Sequence, residues 1–160
     1  MADTGVGGTV AENAPARFTE RRLVGKALAL WEELRAGRRF PNQADCASFA
    51  RGGLAENLFL ISVADGEEGD EIVEAGPAFR SALATDPVGR KAIKVLPSAT
   101  ERGLSFCRVA AELKKPVADV GQFTNADGEE IMYRSILLPL SDDQERVNYL
   151  LGAFSYKVAA

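Results

Sequence analysis

Residues 117–158, VADVGQFTNADGEEIMYRSILLPLSDDQERVNYLLGAFSYKV, read as three β-strands joined by two tight turns. Residues 117–124 form one strand and 130–140 a long second one, and Asn125–Glu129 (NADGE) between them centres on Asp127-Gly128, a hairpin signal. Ser141–Glu145 (SDDQE) turns the chain again into a strand over 147–158. Working back from there, Pro116 ends a helix that the capping box Ser98-x-x-Glu101 opens, giving an expected long helix over 98–115. Residues 76–97 carry Pro77, Pro87, Gly89 and Pro97, and admit only short helical pieces at 78–84 and 90–95. Residues 57–64 and 71–75 form a second hairpin around the turn DGEEGD, with a short helix at 45–50 and a Gly52-Gly53 loop ahead of it.

The segment 21–37 places Leu23, Ala27, Leu30, Trp31 and Leu34 at three- and four-residue steps, the stripe of an amphipathic helix. Gly37 stops it, Arg35, Arg38 and Arg39 suit its carbonyl end, and Pro41 follows. Strands paired by tight turns with helices inserted as a block predict an α+β fold, not a doubly wound parallel one. Residues 1–18 read as a disordered tail and 19–160 as one domain, with the helix at 19–40 and the core at 57–158.

Composition narrows the function. The chain has 160 residues, a net charge of −4 and no histidine. That removes the commonest general base, imidazole-ligated zinc and His-ligated haem. The acidic balance argues against nucleic acid, which wants a basic footprint. No apolar run is long enough to cross a bilayer, and the N-terminus lacks the pattern of a secretory signal. Cys46 and Cys107 are too few for a disulfide framework or a structural zinc site, so a reducing cytoplasm is the expected compartment.

Several segments together resemble a known family. Trp31-Glu32-x-Leu34-Arg35-x-Gly37-Arg38-Arg39-x-Pro41, then Asp45, then Asn57-Leu58-Phe59-Leu60, resembles the opening of a bacterial branch of small stand-alone PAS proteins. Asp86-Pro87-Val88-Gly89-Arg90 matches the turn after its first short helices, and Leu137–Asp143 (LLPLSDD) the loop between its last two strands. Leu151-Gly152-Ala153 sits where its final strand carries a small residue. The resemblance covers about residues 20–157. It implies a PAS fold, a five-stranded antiparallel sheet with short helices and one long helix on one face, plus the amphipathic N-terminal helix. It also implies a cavity for a small ligand, homodimers through that helix, and signalling partners such as a histidine kinase. Haem-binding members use an axial His, which is absent here. Photoactive flavin members carry a motif of the type NCRFLQ, absent too, since Cys107 lies in Phe106-Cys107-Arg108. The expectation is therefore no bound cofactor beyond an unknown small apolar ligand.

Specific residues follow from the two readings together. Phe59, Phe79, Leu83, Ile93, Leu96, Phe106, Phe123, Tyr133, Arg134 and Phe154 are the pocket candidates, with only one of Tyr133 and Arg134 able to face inward. Leu23, Ala27, Leu30, Trp31 and Leu34 are the dimer or partner helix; no metal ligand and no catalytic residue is expected. Residues 17–39 carry seven basic and three acidic side chains, yet a helix whose stripe covers its own sheet or dimerises fits better than one lying on an anionic membrane. Cys46 and Cys107 read as core residues, and the acidic run Asp65, Glu67, Glu68, Asp70, Glu71, Glu74 as a solvated turn. The expected function is a non-catalytic sensory or interaction module. The alternative is a small enzyme of ketosteroid-isomerase-like shape, which needs a buried carboxylate.

Overall fold

The structure is a computed structural model that describes residues 13–96 and 106–159, without the side chains of 13–21, 67 and 106. In chain order it runs α1 (Asn13–Arg35), α2 (Cys46–Phe49), β1 (Leu58–Ser62), β2 (Glu71–Ala75), α3 (Pro77–Leu83), α4 (Ala92–Val95), α5 (Phe106–Leu113), β3 (Val117–Thr124), β4 (Glu130–Leu140) and β5 (Tyr149–Val158). The five strands form one antiparallel sheet in the order β2-β1-β5-β4-β3. β2, β3 and β4 begin and end where the sequence pattern places them. α1 starts earlier than the periodicity suggests, at Asn13 instead of residue 21, so part of the expected tail is helix. Residues 97–105, with the Ser98–Glu101 box, lie outside the described residues.

Register decides which face each side chain takes, because successive strand residues alternate. Phe59, Gly152 and Leu137 stand in one row across β1, β5 and β4; Leu60, Leu151 and Leu138 stand in the next row, on the other face. The first, inner face lies under α3 and α5. The outer face carries Leu60, Ile136, Leu138, Leu151 and Ala153, all at most 3% exposed. α1 covers it, with Ala27 and Trp31 buried and Leu23, Leu30 and Leu34 half-buried against the core. The segment from α2 to β1 lies beside α1, where the Leu30 side chain closes on Gly52.

Arg38 ends α1 in the expected manner. Its guanidinium donates to the carbonyls of Leu34 (2.7 Å) and Arg35 (2.9 Å), two acceptors that a helix end leaves open. Gly37, at φ +82°, makes the turn that permits this. Pro139 looks out of place within a β-run. It is tolerated because β3 ends opposite Leu137, leaving β4 with one neighbour there. The Trp31 indole donates to the Pro139 carbonyl at 2.8 Å, supplying a donor to β4 beyond the end of its pairing with β3.

Candidate functional site: the inner face and its surroundings

Five pocket candidates come together as a continuous aromatic run across the inner face. Phe79 of α3 stacks on Phe59 of β1 at 4.1 Å between ring centroids and meets Phe154 of β5 edge-on at 5.1 Å. Phe154 stacks on Tyr133 of β4 at 5.6 Å, and Tyr133 meets Phe123 of β3 at 5.9 Å. Such contacts contribute beyond the area they bury. The Tyr133 hydroxyl donates to Asp119 Oδ2 at 2.7 Å, so the polar end of the run is satisfied. Gly152 is where the family pattern has a small residue, and the geometry explains it. A Cβ there would stand 2.1 Å from Cζ of Phe59, whose ring lies across the glycine.

The remaining candidates divide. Leu83 is buried in the core and Leu96 packs half-buried against it. Ile93 is half-buried and lies outside that core. Arg134 points to the outer face, the alternation having placed Tyr133 inward. The Phe106 side chain lies outside the described residues. A residue no pattern singled out, Asn125, holds the β3–β4 turn over α3: its side chain donates to the Ala82 carbonyl at 3.1 Å, and the Ala126 amide donates to Leu83. The Phe59–Phe79 separation also sets a condition. A planar ligand between two rings needs about 7 Å, twice a carbon contact distance, so it must part these rings or replace one.

The acidic run contains one exception to its solvated reading. Asp70 is fully buried. Both its oxygens accept from Arg108 Nη2 of α5 at 2.8 Å; Oδ1 also accepts from the Ala64 amide at 2.8 Å, and Oδ2 lies 3.6 Å from Cys107 Sγ. Its carbonyl accepts from the Ala92 amide at the start of α4. Asp70 thus ties the β1–β2 turn to α5 through its carboxylate and to α4 through its main-chain carbonyl. Cys107 is buried, as a core residue should be. Cys46 borders a cleft of about 470 Å³ along β1 and β2, and burial, with Glu74 nearby, pushes its thiol up to about 11. That thiol stays protonated and poorly nucleophilic near neutral pH.

The segments that carry the family resemblance meet on the far side of the sheet. Gln144, in the β4–β5 loop, accepts from the Phe40 amide at 3.0 Å and donates to the Phe40 carbonyl at 2.9 Å. The Ser141 amide donates to Pro41, and the Gln43 amide to Asp142 Oδ1. Asn42 and Asp45 form a reciprocal capping box, and Arg38 reaches Asp45 at 3.1 Å. The tryptophan–arginine–proline segment and the LLPLSDD segment are thus two halves of one clamp. All five residues of the α1 stripe face this side of their own sheet.

No protein-family model matches the sequence, and no curated protein matches it. The fold matches solved light-oxygen-voltage (LOV) domains, which belong to the PAS superfamily. One, studied with a flavin analogue, is 15% identical with a TM-score of 0.54, over 72% of this chain and 85% of that one. The LOV domain of a blue-light activated histidine kinase from Erythrobacter litoralis is 20% identical with a TM-score of 0.51, over 66% of this chain and 99% of that one. The LOV protein of Rhodobacter sphaeroides is 18% identical with a TM-score of 0.51, over 82% of this chain and 65% of that one. These neighbours correct the cofactor expectation. Solved structures that share this fold include a LOV domain studied with a flavin analogue, so the missing NCRFLQ-type motif does not set flavin aside. The five-stranded sheet, its strand order and these likenesses identify the chain's architecture as the PAS fold, in the form shared by LOV domains.

Proposed function

We propose that the chain is a sensory signalling module of the PAS type, working by binding and not by catalysis. One observation carries the reading: β1, β4 and β5 present aromatic rings to the inner face and, one residue along, the apolar floor on which α1 sits. Any ligand that parts Phe59 from Phe79 shifts the same strands that hold the outer helix. Binding would then bias one arrangement of the two layers over another, which is how a ligand shifts a population. The LOV neighbours support a planar ligand, with flavin the first to test, and the kinase-linked neighbour supports a kinase as the receiving partner.

The enzyme alternative needs a buried carboxylate available as a base. Among the described residues Asp70 is the buried carboxylate, and its oxygens are committed to Arg108, the Ala64 amide and the Cys107 thiol. That favours the binding reading.

The test is to purify the full chain, record its absorption spectrum, then denature it and identify what is released by mass spectrometry. A released planar molecule supports the sensor, and a flavin spectrum that responds to blue light makes it a photosensor. Phe79→Ala should then change retention of that molecule. A protein that stays empty when offered flavin mononucleotide and its own cell extract overturns the ligand-binding reading.

A further inference from the structure

The two edges of this sheet are treated differently. β2, at one edge, has five residues, a bulge in its pairing with β1, and exposed Glu71 and Glu74. The chain also folds back over it: the Ile72 amide donates to Arg90 at 3.0 Å, the Gly89 amide donates to Ile72 at 2.8 Å, and Glu71 bridges Lys91. These are the devices that keep an edge from pairing with another chain.

Among the described residues β3, at the other edge, has none of them. It runs eight residues in unbroken register with β4, without Pro, Lys, Arg or a bulge. Among the described residues, the backbone hydrogen bonds of Val117–Thr124 all go to β4. Its single charge, Asp119, already accepts from the Tyr133 hydroxyl. Val120 on its outer face is 59% exposed, with Met132 at 40% on the same face of β4. An unprotected strand edge with an apolar side chain at its middle is a template for another strand.

We infer that β3 is a pairing edge, occupied by β3 of a second copy, antiparallel and centred on Val120. Self-complementarity selects that occupant and that register. Matching faces across a two-fold axis requires that the centre fall on a residue, since side chains alternate with period two. Centring on Asp119 sets two carboxylates opposite each other. Centring on Gly121 sets Val120 against Gln122 and Asp119 against Phe123. Centring on Val120 sets Val120 against itself, Val117 against Phe123, Ala118 against Gln122 and Asp119 against Gly121. Apolar meets apolar on both faces, and no like charges meet. The result is a closed dimer with one ten-stranded sheet. It leaves the α1 stripe on its own sheet, and it does not depend on the sensory reading.

The test uses the full chain. Light scattering and sedimentation across a dilution series should show a dimer. Val120→Lys sets two like charges opposite each other and should weaken the dimer by about tenfold or more. Its circular dichroism should stay unchanged, because the side chain it replaces is exposed in the single protomer, and its unfolding midpoint should lose the dependence on protein concentration that a dimer confers. Gln122→Lys, should Val120→Lys not fold, serves as the second variant. In a Cys46→Ser background, Val120→Cys should cross-link with a short bis-maleimide. Ala118→Cys should not, its two copies lying about 13 Å apart along the strands. A wild-type monomer, a dimer indifferent to both lysine variants, or cross-linking at 118 but not at 120 overturns the inference.

Discussion

At the scale of single residues, the least conspicuous position carries one of the sharpest constraints. Gly152→Ala would drive a methyl into the Phe59 ring, which is itself held by Phe79. Overpacking of this kind costs about 1–3 kcal/mol, so the variant's urea midpoint should fall while the slope stays constant. Asp70 is a harsher case. Asp70→Ala leaves the Arg108 charge buried without its carboxylate, an expected loss of about 3–5 kcal/mol. Asp70→Leu with Arg108→Met removes both charges and should lose less, about 1–3 kcal/mol, because the Ala64 amide still loses its acceptor. Chemical denaturation of the single and double variants checks the order; a double variant no better than Asp70→Ala would refute it. Asp143 adds a pH signature. Its carboxylate accepts from the amides of Arg146 and Glu145 and from the Ser141 hydroxyl, which together lower it from 3.8 to about 2. A lowered value means the ionised form is favoured in the fold. That stabilisation is present above the ordinary value and lost as pH falls through about 2. Asp143→Asn should therefore differ from wild type at neutral pH and converge with it in acid, read as urea midpoints against pH. Composition and spacing made the aromatic candidates legible because large apolar side chains are buried almost wherever they fall. They could not make Asp70 legible: its partner lies 38 positions away, and a carboxylate in an acidic run looks like every other one.

At the scale of elements, strands proved more readable than helices. β2, β3 and β4 have the bounds their composition and turns announce, since an Asp-Gly turn and a change of residue type mark both ends. α1 reaches eight residues further back than its apolar stripe, because a helix continues wherever nothing stops it, and residues 13–20 contain no breaker past the first turn. The segments quoted for the family resemblance were visible as letters, but their work was not. They are separated by about a hundred residues and meet only in space, at Phe40 and Gln144. Gln144 takes a left-handed backbone, φ +68°, to face Phe40 with both ends of its amide. Gln144→Ala removes three side-chain hydrogen bonds, two with Phe40 and one to the Ser141 carbonyl, and should cost about 1–3 kcal/mol. The loss should be local as well as global. Amide exchange at Phe40 and along the end of α1 should quicken more than exchange in β5, and equal quickening everywhere would argue that the loop does not clamp the helix.

At the scale of the whole molecule, the chain is a sheet with two covered faces, and the expected division into a helix at 19–40 and a core at 57–158 understates how much the core depends on the helix. Leu60, Ile136, Leu138 and Leu151 stand in the outer face at most 3% exposed, and α1 with the segment behind it is what covers them. A soluble protein rarely tolerates so continuous an apolar patch in water. A chain beginning at residue 42 keeps every strand, every inner-face aromatic and the Asp70–Arg108 pair, so a self-sufficient core would still unfold cooperatively. The layered arrangement predicts otherwise. The truncated chain should bind a hydrophobic dye, associate without a defined stoichiometry, and lose its cooperative unfolding transition. Supplying residues 1–41 as a separate peptide should restore part of that transition, because the same stripe would dock on the same floor. A truncated chain that stays monodisperse and unfolds at the midpoint of the full-length protein would mean that the outer helix is an appendage. Signals could then not pass from the aromatic face to the helix through the shared strands.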